Sequence, residues 1–263
     1  LSGGTTPQIE PLLLPQGDGH LFAVRHRCAM PLRARVLLCP PLLHEHARSY
    51  RFFAQLAEHW ARHGIEVIRF DYSGSGDSSG STRDFASAGA IRDIRHVWDA
   101  LVPVEEGVPR IICGVRMGSL FAAHAIAGGL DADMAWWWQP ALSGAAWVDA
   151  LEMIDARERQ SPSRFPLRTG PQARVGELMG YDLDPQCIGD LRRLQWPLLS
   201  LPTTCLLESD GALQSWMRAV DVIRLSLAFD AWPWQVDFEA IIPVRLADPA
   251  SERLFSRLQE ATT

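Results

Sequence analysis

The chain has 263 residues, a hydrophobic fraction of 47% and a charged fraction of 21%, the balance of an ordinary globular protein able to form one large α/β domain or two small ones. Its net charge of -6 argues against nucleic acid or an anionic membrane surface as the main partner. Five cysteines, Cys28, Cys39, Cys113, Cys187 and Cys205, contain no C-x-x-C pair and fit a reducing cytoplasm better than a disulfide framework. No apolar run reaches the length of a membrane span, and nothing in the pattern asks for a cofactor. The first residue is Leu1, which leaves the native start and any preceding targeting segment open.

In chain order, residues 1–16 are rich in Gly, Thr and Pro and read as a flexible segment. Gly19 to Arg27 partly alternates in polarity, as an edge strand does. Ala34 to Cys39 is a better strand, stopped by Pro40-Pro41. A helix is predicted from Ser49 to His63, with Phe52, Phe53, Leu56, Ala57 and Trp60 at helical spacing and Gly64 closing it. Ile65 to Asp71 is the next strand, running into a Gly/Ser-rich loop that ends at Gly80. Ser81-Thr82-Arg83-Asp84 has capping-box spacing, ahead of a helix with Ile91, Ile94, Trp98 and Leu101 as its apolar stripe.

Arg110 to Cys113 reads as a buried strand, and Ser119 to Ile126 as a tightly packed helix. Between them, Gly114-Val115-Arg116-Met117-Gly118 keeps both glycines of a G-x-S-x-G nucleophile elbow, with arginine in place of serine. The glycines suit a strained turn that leaves no room for side chains. A guanidinium that is always protonated cannot attack a carbonyl. Met134 to Trp138 is a further strand, and its three consecutive tryptophans must alternate between the two faces of a sheet. Leu142 to Pro202 is arginine-rich and interrupted by Pro162, Pro166, Pro171 and Pro185, so it reads as an insertion over the sheet. Thr203 to Leu207 resumes the sheet. A helix from Ala212 to Ile223, a strand from Leu225 to Phe229 and a terminal helix from Ala250 to Glu260 complete the expected order. Strands alternating with helices imply a mostly parallel sheet with helices on both faces.

Several of these stretches together resemble the α/β-hydrolase superfamily over almost the whole chain. They are Pro40-Pro41 after a strand, the strand end Phe70-Asp71, the Asp71-x-x-Gly74-x-Gly76-x-Ser78 loop and the elbow. The resemblance implies an α/β-hydrolase core formed by residues 17–141 and 203–263, with residues 142–202 in the place of a small helical cap. Within the superfamily, Glu45 and Ser49-x-Arg51, Gly-Val-Arg-Met-Gly at the elbow, Trp138 to Gly144, Gly180-Tyr181 and Trp232-Pro233-Trp234-Gln235 resemble the second hydrolase associated with exosortase A systems. That likeness implies a bacterial protein encoded among extracellular polysaccharide and protein-sorting functions.

The superfamily's triad runs Ser, acid, His along the chain. Asp210 stands at the acid position, although Ser209-Asp210-Gly211 is an equally good turn and both readings stand. None of the eight histidines follows Asp210, and Trp232-Pro233-Trp234 occupies the neighbourhood expected of the base. Loss of Ser or His costs about 10⁶ in kcat in a serine protease, so hydrolysis by a Ser-His-Asp route is not expected. Ser119 and Cys113 read as core residues, and Ser75 and Ser78 as turn residues. His44 and His46 are the histidines nearest the expected pocket, and no histidine spacing suggests zinc.

A partly buried Arg116 needs an anionic partner. One reading pairs it with Glu45 or Asp210 and so fills a former active site. The other has it capture a ligand carboxylate or phosphate at a helix N-terminus. Candidate ligand contacts from the core loops are Arg116, Leu42, Leu43, His44, Glu45 and Met117. Trp138, Gln139, Trp232 and Trp234 join them from the later strand ends. The functional expectation is a non-catalytic or strongly altered hydrolase-fold protein that binds a small ligand, acyl or acidic sugar, or a partner. The alternative is an esterase, thioesterase or acyltransferase with a rearranged serine site.

Overall fold

The computed structural model describes residues 6–28, 30–160, 174–201, 203–207, 221–224 and 248–261. The elements up to the elbow are β1 (Gln8–Gln16), β2 (Gly19–Arg27), β3 (Ala34–Cys39), α1 (Leu43–Arg62), β4 (Ile65–Phe70), α2 (Ser87–Leu101) and β5 (Arg110–Val115). After it come α3 (Met117–Ala127), β6 (Met134–Trp138), α4 (Gly144–Arg159), β7 (Glu177–Leu178), β8 (Tyr181–Asp182) and α5 (Pro185–Arg193). The described elements end with β9 (Thr203–Leu207), β10 (Asp221–Arg224) and α6 (Asp248–Ala261).

Eight strands form one sheet in the order β1-β2-β4-β3-β5-β6-β9-β10, and β7 pairs with β8 alone. The β1–β2 and β2–β4 pairs are antiparallel, and every later pair in the large sheet is parallel. This is the mostly parallel α/β-hydrolase arrangement that the resemblance implies. Because β3 lies between β4 and β5, the chain leaves β3 in one direction and then crosses back. The crevice outside its carboxyl end is where open α/β sheets bind ligands.

Alternation along the strands divides the core. Val36 and Leu38 of β3, Ile111 and Cys113 of β5, and Trp136 and Trp138 of β6 meet α1 and α6 through Phe53, Leu56, Trp60 and Leu254. Leu37, Ile112 and Trp137 face the opposite side, with Trp98 of α2, Phe121 of α3, Trp147 of α4 and Leu191 of α5. The three tryptophans therefore alternate faces as the pleat requires.

Five sequence expectations are corrected. The second half of the opening segment is a strand, β1, which tolerates Pro11 and Pro15 because it lies at the sheet edge. β2 is accordingly an inner strand. Helix α1 starts six residues earlier than Ser49, at Leu43, because polar His44 and Glu45 turn inward and are buried. The Ser81–Asp84 box caps no helix: the Asp84 carboxylate accepts the Ser81 N–H and hydroxyl, both at 2.7 Å, and closes a local turn, whereas α2 begins at Ser87. Asp221 to Ile223, placed at a helix end, lies in β10, paired in parallel with β9. The strand expected at Leu225–Phe229 falls outside the described residues.

Candidate functional site

Arg116 sits at the turn between β5 and α3 with φ 53° and ψ -122°, the strained geometry of an elbow held open by its surroundings. Its N–H donates to Trp138 O at 3.0 Å, and its carbonyl accepts from the N–H groups of Ser119 and Ala141, both at 3.1 Å. Both flanking glycines are required sterically. A Cβ on Gly118 would meet the carbonyls of Pro40 and Cys39, and one on Gly114 would meet the backbone of Ser119. Leu43 (φ 54°), at the start of α1, and Gln139 (φ 41°), just after β6, also have positive φ.

The Arg116 side chain folds back into the protein. Its Nε donates to Glu45 Oε1 at 2.9 Å and its Nη1 to Gln139 O at 3.2 Å. The other carboxylate oxygen of Glu45 accepts the indole N–H of Trp147 at 3.0 Å. The Glu45 side chain is 5% exposed and that of Arg116 25% exposed, so the carboxylate is enclosed between the elbow and α4. Of the two partners expected for Arg116, Glu45 holds it. Asp210 lies outside the described residues, as do Trp232 and Trp234.

A cavity of about 640 Å³ opens at the carboxyl ends of β3 and β4. Its wall includes Leu42, Leu43 and His46 from the start of α1, Asp71 and Ser75 from the loop after β4, and Tyr181 from the β7–β8 hairpin. Among the described residues, Arg116, Glu45 and Gln139 are not part of that wall. Trp138 is fully buried against Phe52 and Phe53, so it is a core residue and does not face the cavity. Met117 is likewise fully buried in the core.

His44 is buried within the first turn of α1, outside the cavity wall, and burial, with Arg48 and Arg116 nearby, lowers its pKa to about 4. His46 lies in α1 on the cavity wall. Its Nε2 lies 3.3 Å from Asp71 Oδ1, and its ring meets Tyr50 edge-on. Burial holds the His46 pKa below its usual value against the opposing pull of Asp71, and burial raises Asp71. Asp71 also organises its own loop. Its Oδ2 accepts the Asp77 N–H at 3.0 Å, its carbonyl accepts the Ser78 hydroxyl at 2.6 Å, and a Cβ on Gly76 would collide with its carboxylate. The pairing of His46 with Asp71 is not visible in the sequence, where 25 residues separate them; the signal was a histidine beside Glu45 on a helix turn that buries its polar residues.

Of the other nucleophile candidates, Ser75 lies on the cavity wall, and the remaining three are occupied or inert. Ser119 is fully buried, Ser78 is committed to Asp71 O and the Phe22 N–H, and burial pushes the Cys113 thiol pKa up. Elements of the Leu142–Pro202 stretch reach the same region. Thr82 Oγ1 donates to Asp182 O at 2.9 Å, and Trp147 contacts Glu45.

Residues 32–175, more than half of the chain, match the family described as serine aminopeptidase, S33. The chain belongs to that family. A search of curated proteins gave no significant match. Solved structures similar to this S33 chain share its fold at low identity. A putative hydrolase from Agrobacterium vitis is 17% identical with a TM-score of 0.55, covering 96% of this chain and 99% of its own. The mouse α/β-hydrolase domain-containing protein 10 is 17% identical with a TM-score of 0.56, at 95% and 99% coverage. An esterase from Exiguobacterium antarcticum is 12% identical with a TM-score of 0.63, at 95% and 100% coverage. In this S33 chain the elbow carries Arg116 where G-x-S-x-G places its serine. No helix among the described residues is long and apolar enough to cross a membrane.

Proposed function

We propose that this S33-family chain is a remodelled hydrolase-fold protein that binds a small ligand beside its former nucleophile position and does not run Ser-His-Asp hydrolysis. The observation that carries this reading is the Arg116–Glu45 contact at 2.9 Å, with Trp147 on the second carboxylate oxygen. A cation at the elbow supplies no nucleophile, and the internal carboxylate leaves it little reason to seek an anionic ligand. Ligand binding moves to the adjoining cavity, with residues 142–202 acting as the cap above it. The likeness to the second exosortase-associated hydrolase supports a bacterial role in extracellular polysaccharide or protein sorting, and the five cysteines without a C-x-x-C pair support a reducing cytoplasm.

One observation favours a second reading. His46 and Asp71 lie 3.3 Å apart on the cavity wall, in the relation of a base and its orienting carboxylate. A rearranged esterase or acyltransferase would use them. Turnover of p-nitrophenyl acetate and butyrate separates the two. The first reading expects no turnover above buffer from the natural chain, and none from Arg116→Ser, since no histidine follows Asp210. Turnover abolished by His46→Gln would establish the second.

A further inference from the structure

Apart from exposed Asp77, the formal charges around the cavity are engaged, whereas several of its neutral hydroxyls are not. Asp71 is held by His46 and by the Asp77 N–H. Arg69, behind the wall, donates to His26 Nε2 at 3.2 Å and lies 5.0 Å over the Tyr50 ring. Arg116 is taken by Glu45 and stands off the wall. No lysine or arginine lines the cavity among the described residues, and exposed Asp77 on the wall adds a negative charge. This removes the acidic ligand that an unpaired Arg116 would have called for.

Tyr50, Tyr181 and Ser75 line the same space, and among the described residues their hydroxyls have no hydrogen-bond partner. Ser81 and Thr82, also on the wall, donate to Asp84 and to Asp182 O, which leaves their oxygen lone pairs as acceptors. Leu42, Leu43, Phe85 and Leu183 supply the apolar surface. The volume lies within the ~300–1,000 Å³ range of small-molecule sites, where a few placed polar groups set orientation over an apolar lining.

We propose that the cavity binds a neutral, hydroxyl-rich ring with one apolar face, a pyranoside, through the Tyr50, Tyr181 and Ser75 hydroxyls over its leucine and phenylalanine surface. The proposal rests on the reading of this cavity as the ligand site. A pyranose matches it in both respects, since its axial C–H face packs on apolar and aromatic surface while its equatorial hydroxyls donate and accept. An anionic sugar is disfavoured by exposed Asp77, and no lysine or arginine among the described wall residues offsets it.

The test is calorimetric titration of the full chain with cellobiose, maltose and N,N′-diacetylchitobiose as neutral probes. Cellobiuronic acid serves as the anion, the glucosamine disaccharide as the cation, and N-phenyl-1-naphthylamine fluorescence as a neutral apolar probe. At least one neutral disaccharide binds with Kd at or below about 10 mM, and cellobiuronic acid binds at least ~5-fold more weakly than cellobiose. Tyr181→Phe and Tyr50→Phe, which keep both rings, each weaken it about 3- to 10-fold, and Ala47→Trp, which fills the cavity, abolishes it. Binding of only the charged disaccharides, or of N-phenyl-1-naphthylamine alone, with sensitivity to Ala47→Trp, overturns the pyranoside proposal while leaving the cavity a ligand site. If no probe binds, or if binding is indifferent to Ala47→Trp, both the proposal and the cavity reading fall.

Discussion

Replacing Glu45 with alanine removes the group on which the closed elbow depends. Two donors lose their acceptor, Arg116 Nε at 2.9 Å and Trp147 Nε1 at 3.0 Å. Trp147 is 3% exposed, so its indole N–H is stranded away from water at a cost of about 1–3 kcal/mol. Removing one partner of a buried ion pair costs about 3–5 kcal/mol. Arg116 falls below that range, because its side chain is 25% exposed and keeps the Gln139 carbonyl. The combined expectation is about 3 kcal/mol, or a fall in Tm of ~6–12 °C for a chain of this size. Urea unfolding followed by tryptophan fluorescence measures it, with m unchanged. In a double-mutant cycle, Glu45→Ala and Arg116→Ala should couple by about 1.5 kcal/mol or more. The exposed Arg27–Glu10 pair, at 2.9 Å, is the internal control and should yield only about 0–1 kcal/mol. A Glu45→Ala cost below about 1 kcal/mol, or a coupling near that of the control, would refute the argument.

Other outcomes follow from the same geometry. Gly118→Ala drives a Cβ into the Pro40 and Cys39 carbonyls and should cost about 3 kcal/mol or prevent soluble expression. Gly189→Ala, whose Cβ would meet only the tip of Arg193 within α5, should stabilise by about 0.5–1 kcal/mol in the same urea assay. His44 is held at about 4 in the folded chain against an ordinary value near 6.5, so the folded state binds fewer protons. Its contribution is complete above the unfolded value and is lost as pH falls from about 6.5 through 4, amounting to about 3 kcal/mol. Stability measured across that window should fall less steeply in His44→Gln than in the natural chain, and parallel curves would contradict the assignment.

The sequence exposed the sheet more readily than the helix starts. Ala34–Cys39 and Met134–Trp138 are apolar runs bounded by turn signals, and the observed strands keep those bounds. Helix α1 was legible only from Ser49, because periodicity assigns polar His44, Glu45 and His46 to a loop. They sit inside because Glu45 has two donors to satisfy and His46 has Asp71, and such partners come from 71, 102 and 25 positions away in the chain. The Ser81–Asp84 box misled because the same side-chain bonds that cap a helix also close an isolated turn. At the site, the wrong letter in the elbow was legible, and so was Glu45 as one of two partners for it. Trp138 could not be placed from its strand-end position alone. The pleat sends it toward Phe52 and Phe53, one register away from the face that Trp137 shares with α2 and α3.

In this S33-family chain the elbow holds a cation paired with Glu45, and under the proposed function no serine has taken over as nucleophile. Intact-mass spectrometry after incubation with an alkyl fluorophosphonate tests it most directly, because the probe adds a fixed mass to an activated serine and ignores ordinary ones. The natural chain and Glu45→Ala should both remain unmodified under conditions that label a serine esterase to completion. A stoichiometric adduct mapped to any one serine, Ser75 on the cavity wall included, would contradict the account.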